Sequence, residues 1–268
     1  MPRDCPVCGT PQGPASVVGP LKKTFPYALR RECYDFCHCA ACDLYYIDPI
    51  IPAEDFQEIY FNWPQFAPFP GEEWAYSPAR IRGSVEYLQS RFRDLVMSRQ
   101  DYDWKVLEVG AGMATLARAL KELPVRVKAI AQDITPEAAA ICPWVDRYVV
   151  GDVSAAELDD EAPYDFISMT HVLEHAIEPV GMLRRCRQLL RPEGRIFVSA
   201  PHRPANWRSD GGIAAWENYP YQHTPAHLQF FSETSLACAC SRAALRLTFW
   251  NGAVEEGQVF EAWLEPAP

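Results

Sequence analysis

The chain has 268 residues, of which 49% are hydrophobic and 22% charged, with a net charge of −10. That length holds one full α/β domain plus a small appendage, and the composition is that of an ordinary soluble globular protein. The acidity argues against a phosphate backbone as main partner; no apolar run reaches the length of a membrane span, and Met1-Pro2-Arg3-Asp4 does not open like a signal peptide, so a cytoplasmic protein is expected.

Six of the ten cysteines lie before residue 43, too clustered for a general disulfide framework. In a reducing compartment such clustering points to metal. Residues 1–50 read as a zinc ribbon: Cys5-Pro6-Val7-Cys8 is one knuckle and Cys39-Ala40-Ala41-Cys42 the second. Two such pairs place four thiolates around one zinc ion and leave no open position, so the zinc is expected to be structural, with Cys5, Cys8, Cys39 and Cys42 as ligands. Cys33, Cys37 and His38 are spare candidates, and Asp43 stands where such knuckles usually carry glycine.

Residues 51–104 read as a helical linker or lid region. Pro52 starts a short helix, and a second helix over Pro78–Ser98 lines up Ile81, Val85, Leu88, Phe92, Leu95 and Val96 on one face. Between them lie prolines and a dense aromatic run, Trp63 to Tyr76. That segment either closes over a pocket or packs the ribbon against the main domain.

From residue 105 strand and helix alternate to 268, as a parallel sheet requires. Lys105-Val106-Leu107-Glu108-Val109 reads as a buried strand; Gly110-Ala111-Gly112 makes a tight turn, and Leu116 and Ala117 open a helix. Glycine lets backbone approach a ligand closely, and a helix start offers free N–H groups, so the turn suits a nucleotide-like cofactor. A dinucleotide fingerprint would need glycine at 115, where Thr115 stands; E-x-G-x-G-x-G fits Glu108, Gly110 and Gly112, with Ala114 at the last place. Further strands end at Asp133, at Asp152-Val153 and at Thr170-His171, and a helix is expected to start at Thr135-Pro136. Arg184, Arg185 and Arg187 read as a solvated helix face.

The glycine motif, the stretch Tyr164-Asp165-Phe166-Ile167, the segment His171-Val172-Leu173-Glu174-His175, the turn Arg191-Pro192-Glu193-Gly194 and the run from His227 to Leu236 together resemble the class I S-adenosylmethionine (SAM) dependent methyltransferases. They resemble especially the H-V-L-E-H branch that carries an N-terminal cysteine ribbon. The resemblance implies an α/β fold: a doubly wound, Rossmann-like, mostly parallel seven-stranded sheet with an antiparallel C-terminal hairpin, beside the zinc ribbon. It also implies that Gly110, Ala111 and Gly112 approach the methionine part of SAM and that Glu108 orients that loop. By the same resemblance Asp133 takes the ribose hydroxyls, Asp152 and Val153 meet the adenine, and Thr170 and His171 close over the methionine end.

Transfer from a sulfonium is catalysis by positioning, and an acceptor hydroxyl needs a general base. His171 is the first candidate, then His223 and His227; Glu174 and His175 read as structural. The segment from Trp207 to Tyr221 is placed to shape an acceptor pocket. The function expected is methyl transfer to a small-molecule, biosynthetic acceptor. The alternatives are a SAM-retaining module whose ribbon recognises a protein or nucleic acid, and a nicotinamide oxidoreductase, which Thr115 and Asp152 disfavour. The sequence leaves oligomeric state open.

Overall fold

The computed structural model describes residues 2–13, 16–24, 28–62, 78–204, 213–217, 219–254 and 258–268. The aromatic run from Trp63 to Tyr76, Trp207 and its neighbours, and the turn at Glu255 lie outside them. In chain order the strands are β1 (Val17–Lys22), β2 (Cys33–Cys39), β3 (Leu44–Asp48), β4 (Asp103–Val109), β5 (Arg126–Asp133), β6 (Arg147–Val150), β7 (Tyr164–Thr170), β8 (Leu190–Pro201), β9 (Gln229–Phe230), β10 (Leu245–Val254) and β11 (Val259–Pro266). The helices are α1 (Ala53–Gln57), α2 (Pro78–Met97), α3 (Thr115–Lys121), α4 (Pro179–Leu189), α5 (Ala214–Glu217) and α6 (Glu233–Arg242).

One sheet runs β1-β2-β3-β9; the other is seven-stranded, β10-β11-β8-β7-β4-β5-β6. β4 pairs in parallel with β5 and β7, β5 pairs in parallel with β6, and β10 and β11 form the antiparallel hairpin. This is the expected Rossmann-like sheet. Strand order reverses between β4 and β7, and in open α/β sheets ligands bind beyond the carboxyl ends of the strands at such a reversal. No helix among the described residues is long and apolar enough to cross a membrane.

By compactness the chain divides into two units. One holds Met1–Ile59, His171–Arg187 and Phe197–Pro268; the other holds Tyr60–Thr170 and Gln188–Ile196. In the first unit the four-stranded sheet buries Phe36, Tyr45 and Phe230 around Trp216, whose ring centroid lies 4.6 Å from that of Phe36 and 4.9 Å from that of Phe230. Burial of four large rings supplies apolar stabilisation that a small cysteine module lacks alone. Trp216 is thus core, not the pocket wall the sequence suggested.

In the second unit β4 is buried from Val106 to Val109, as befits a central parallel strand. Helix α2 lays Val85, Leu88, Phe92 and Val96 inward, and Phe92 stacks on Phe166 of β7 at 5.1 Å. The Asp165 carboxylate accepts from the Tyr102 hydroxyl at 2.6 Å and the Lys105 amide at 2.7 Å, with the Arg191 guanidinium at 3.0 Å. The residues expected to turn, Arg191 to Gly194, instead begin β8 directly after α4. A Cβ on Gly194 would lie 2.7 Å from Leu190 and 2.9 Å from the Asp165 carbonyl, so only glycine fits there. The helix expected at Thr135-Pro136 is a single 3-10 turn, Glu137–Ala140. Asp133 takes the Thr135 amide and hydroxyl, and Pro143 holds Cys142 away from the helical region.

Candidate functional site

The loop between β4 and α3 holds three residues in left-handed conformation, Gly110 (φ 60°), Gly112 (φ 47°) and Ala114 (φ 48°). Ala114 therefore occupies a glycine position at a cost of about 1–2 kcal/mol, and its carbonyl accepts from the Trp144 indole at 2.8 Å. Glu108 is buried, and its two oxygens accept from the Leu116 and Ala117 amides, each at 3.1 Å. The N–H groups that the sequence offered to a ligand are thus already taken. Burial pushes the Glu108 carboxyl up to about 7, against the pull of those two amides. Glu108 thus caps the first turn of the helix behind the loop.

The tips of β5 and β6 close on this loop. Asp133 accepts from the Gly112 amide at 2.8 Å on one oxygen, and from the Thr135 amide and hydroxyl at 3.0 and 2.9 Å on the other. Gln132, which the sequence reading missed, accepts from the Gly110 amide at 3.3 Å and donates to the Gly151 carbonyl. The available signal was a glutamine directly after the apolar run Ala129-Ile130-Ala131, next to the acid at the strand tip. The Tyr148 hydroxyl donates to the Gly112 carbonyl at 2.8 Å. Asp152 is exposed and accepts from the Ser154 amide at 2.9 Å, while Val153 beside it is buried. Among the described residues a Cβ on Gly112 would meet nothing within 4 Å, so none of them closes that face of the loop. Glu108, Gly110, Ala111, Gly112, Asp133, Asp152, Val153 and Thr170 all fall in this one unit.

The other unit gathers His171, Glu174, His175, His223 and His227. His171 is left-handed (φ 55°), its amide donates to the Ser199 carbonyl at 2.8 Å, and its side chain is 40% exposed. Its ring lies parallel to that of Tyr221, 6.0 Å away, and its Nδ1 is 3.4 Å from the Glu174 carboxylate. His227 is buried; its ring centroid is 4.7 Å from that of His175 and 4.6 Å from that of His223. Burial pushes the His175, His223 and His227 imidazoles below their usual range, His227 furthest.

In the same unit the sulfurs of Cys5, Cys8, Cys39 and Cys42 all lie within 4.8 Å of one another. Cys5 and Cys42 stand 3.6 Å apart, and Cys8 and Cys39 stand 3.5 Å apart. Zinc–sulfur bonds of about 2.3 Å give tetrahedral edges of roughly 3.8 Å, so the four residues suit one zinc ion. Cys37 is not among them. The two knuckles turn alike: Gly9 has φ 75° and Asp43 φ 60°. Asp43 holds that conformation with its carboxylate 2.9 Å from His38 Nε2.

A parallel sheet with acids at successive strand tips around a left-handed loop defines a nucleotide-cofactor α/β protein. The family described as "Methyltransferase domain" matches residues 81–248, more than half of the chain. The chain belongs to this family. A ubiquinone biosynthesis O-methyltransferase of Pseudomonas aeruginosa (strain UCBPP-PA14) is 29% identical over 104 residues, 37% of this chain and 45% of that protein. The chain thus spans about half the length of the curated relatives it matches. Among solved structures, the 1,6-didemethyltoxoflavin-N1-methyltransferase of Burkholderia thailandensis, which contains S-adenosylhomocysteine, aligns with TM-score 0.54 and 19% identity over 92% of this chain and 100% of that one. The magnesium protoporphyrin IX methyltransferase of Synechocystis PCC 6803 aligns with TM-score 0.52 and 13% identity over 70% and 86%. These likenesses bear on the fold.

Proposed function

We propose that this chain transfers a methyl group from SAM to a small-molecule, biosynthetic acceptor. The observation that carries the reading is the closure of the Asp133 tip on the Gly112 amide beside an open glycine face. Glu108 fixes the loop, Asp133 has a carboxylate poised for ribose hydroxyls, and exposed Asp152 with Val153 suits an adenine edge. Gly110, Ala111, Gly112 and Thr170 would line the methionine end. Bound there, SAM supplies an electrophilic methyl group on a sulfonium. The chain's part is to align that group with the acceptor, as catalysis by positioning requires.

His171 follows Thr170 directly in the chain and is exposed, so we assign it the acceptor's proton, with His223 behind it. His227 is buried from any acceptor. The Cys5–Cys8–Cys39–Cys42 zinc is a folding staple. The organisation that follows is a ribbon over 1–50, a linker or lid over 51–104 and the methyltransferase domain over 105–268, in a reducing compartment such as the cytoplasm. Calorimetric titration of the zinc-loaded protein with S-adenosylhomocysteine, and separately with NAD, tests the cofactor. Micromolar binding of the first and none of the second is expected; the reverse overturns the reading. Turnover with an acceptor separates the enzyme from a SAM-retaining binding module.

A further inference from the structure

Glu174 is fully buried, and among the described residues neither carboxylate oxygen accepts a hydrogen bond, the nearest ring nitrogen being His171 Nδ1 at 3.4 Å. Leaving a carboxylate so is costly unless a cation lies beside it. Around it the local structure is tightly held. The Gln229 amide nitrogen donates to the Leu173 and Ala176 carbonyls at 3.0 and 2.7 Å, pinning the turn that carries Glu174 and His175. The Leu228 amide donates to the Glu174 carbonyl at 2.8 Å, which brings the segment before β9 against that turn. His175 Nδ1 lies 2.9 Å from the Ala226 carbonyl, and His227 Nδ1 lies 2.7 Å from the Tyr221 carbonyl.

A carbonyl accepts only, so both rings carry their proton on Nδ1. In the neutral ring that leaves Nε2 of each as a lone pair. One Glu174 oxygen and one nitrogen of each ring lie within 4.8 Å of one another. The His175 Nε2 stands 4.0 Å from Glu174 Oε1, too far for a hydrogen bond. Two ring nitrogens and the buried Glu174 carboxylate thus converge, with His171 Nδ1 3.4 Å from the same carboxylate on its more exposed side. Imidazoles oriented by second hydrogen bonds to carbonyls, with one carboxylate, make the donor set of open transition-metal sites.

We propose that Glu174, His175 and His227 form a second metal centre, distinct from the four cysteines, that holds a divalent transition-metal ion. Three protein ligands leave a coordination position open, in contrast to the closed cysteine site. That position suits a water molecule or another small oxygen donor, whose acidity the ion would raise. Metal binding does not depend on the methyltransferase reading above.

The test is a Co2+ titration of the full-length protein with its cysteine site loaded with Zn2+, followed by visible absorption. One Co2+ per chain is expected, with ligand-field bands and no thiolate-to-metal charge-transfer band. Glu174→Gln and His227→Gln should each weaken it by a hundredfold or more, while Cys33→Ser leaves it unchanged. Zn2+ should displace the Co2+ and equimolar Mg2+ should not. Thermal melts and S-adenosylhomocysteine titrations of the same samples separate a misfolded variant and a failed cofactor reading from a failed metal site. The proposal is overturned if Co2+ enters only with the thiolate band, if both folded variants bind it as well as wild type, or if Mg2+ displaces it equally.

Discussion

The carboxylate of Asp133, at the tip of β5, accepts the amide of Gly112 at 2.8 Å, tying the second strand's acid to the glycine loop of the first. The acid therefore shapes the loop before any ligand arrives. Asp133→Ala removes this bond and both bonds to Thr135. We expect S-adenosylhomocysteine affinity to fall by about 1–3 kcal/mol and stability by a similar amount. Calorimetry and denaturant unfolding measure the two, and undiminished affinity would remove Asp133 from the cofactor site.

Glu108 gives a pH signature. Its carboxyl is raised to about 7 in the fold, against about 4.3 in the unfolded chain. The folded state binds this proton more tightly, so the associated stability is full at low pH and is lost as pH climbs through 7. The stability difference between wild type and Glu108→Gln should fall by about 3 kcal/mol from about pH 4 to about pH 8. Urea midpoints across that range check it; a difference that is flat or rises with pH contradicts the assignment.

Two glycines should behave oppositely. Gly194→Ala drives a Cβ into Leu190 and the Asp165 carbonyl, at 2.7 and 2.9 Å. A loss of about 1–3 kcal/mol is expected, because backbone must move. Gly112→Ala meets no atom of the described residues and carries only its positive φ, about 1 kcal/mol, yet places a methyl on the open face of the loop. That variant should stay folded and lose most affinity for S-adenosylhomocysteine. Full retention of binding would put the cofactor elsewhere.

The latch at Asp165 predicts a purely structural defect. Asp165→Ala leaves the Tyr102 hydroxyl and Lys105 amide without their acceptor and frees Arg191. About 2–4 kcal/mol of stability should go, discounted for the partial exposure of Arg191. Any surviving folded protein should bind cofactor normally; a selective loss of binding would show that Asp165 has a second role.

For the ribbon, Cys42→Ser should release one equivalent of zinc and lower Tm by several degrees or more, because structural zinc binding is coupled to folding. Metal analysis and melting after gel filtration measure both. Unchanged zinc content would mean that Cys42 is not a ligand.

The residues that the sequence made legible are those whose chemistry is local. The glycine pair of the first strand's turn, the acid at each strand tip and the paired cysteines each announce a backbone conformation or a donor set within a few residues. The alternation of strand and helix likewise carried the parallel sheet, because burial on both faces leaves near-continuous apolar runs such as Val106 to Val109, while its seven strands came from the family resemblance. What required the tertiary structure was every relationship across long separations. Gln132 looked like the end of a strand until its amide was seen to bridge Gly110 and Gly151. Trp216 looked like part of a pocket until Phe36 and Phe230 enclosed it. Glu174 and His175 read as structural because only folding brings His227 to within 4.8 Å of them, and only burial strips that carboxylate of water. Sequence fixes which groups a chain carries and the period of its elements; which groups share a dielectric, a donor or an ion is decided by packing between segments that the chain order keeps apart.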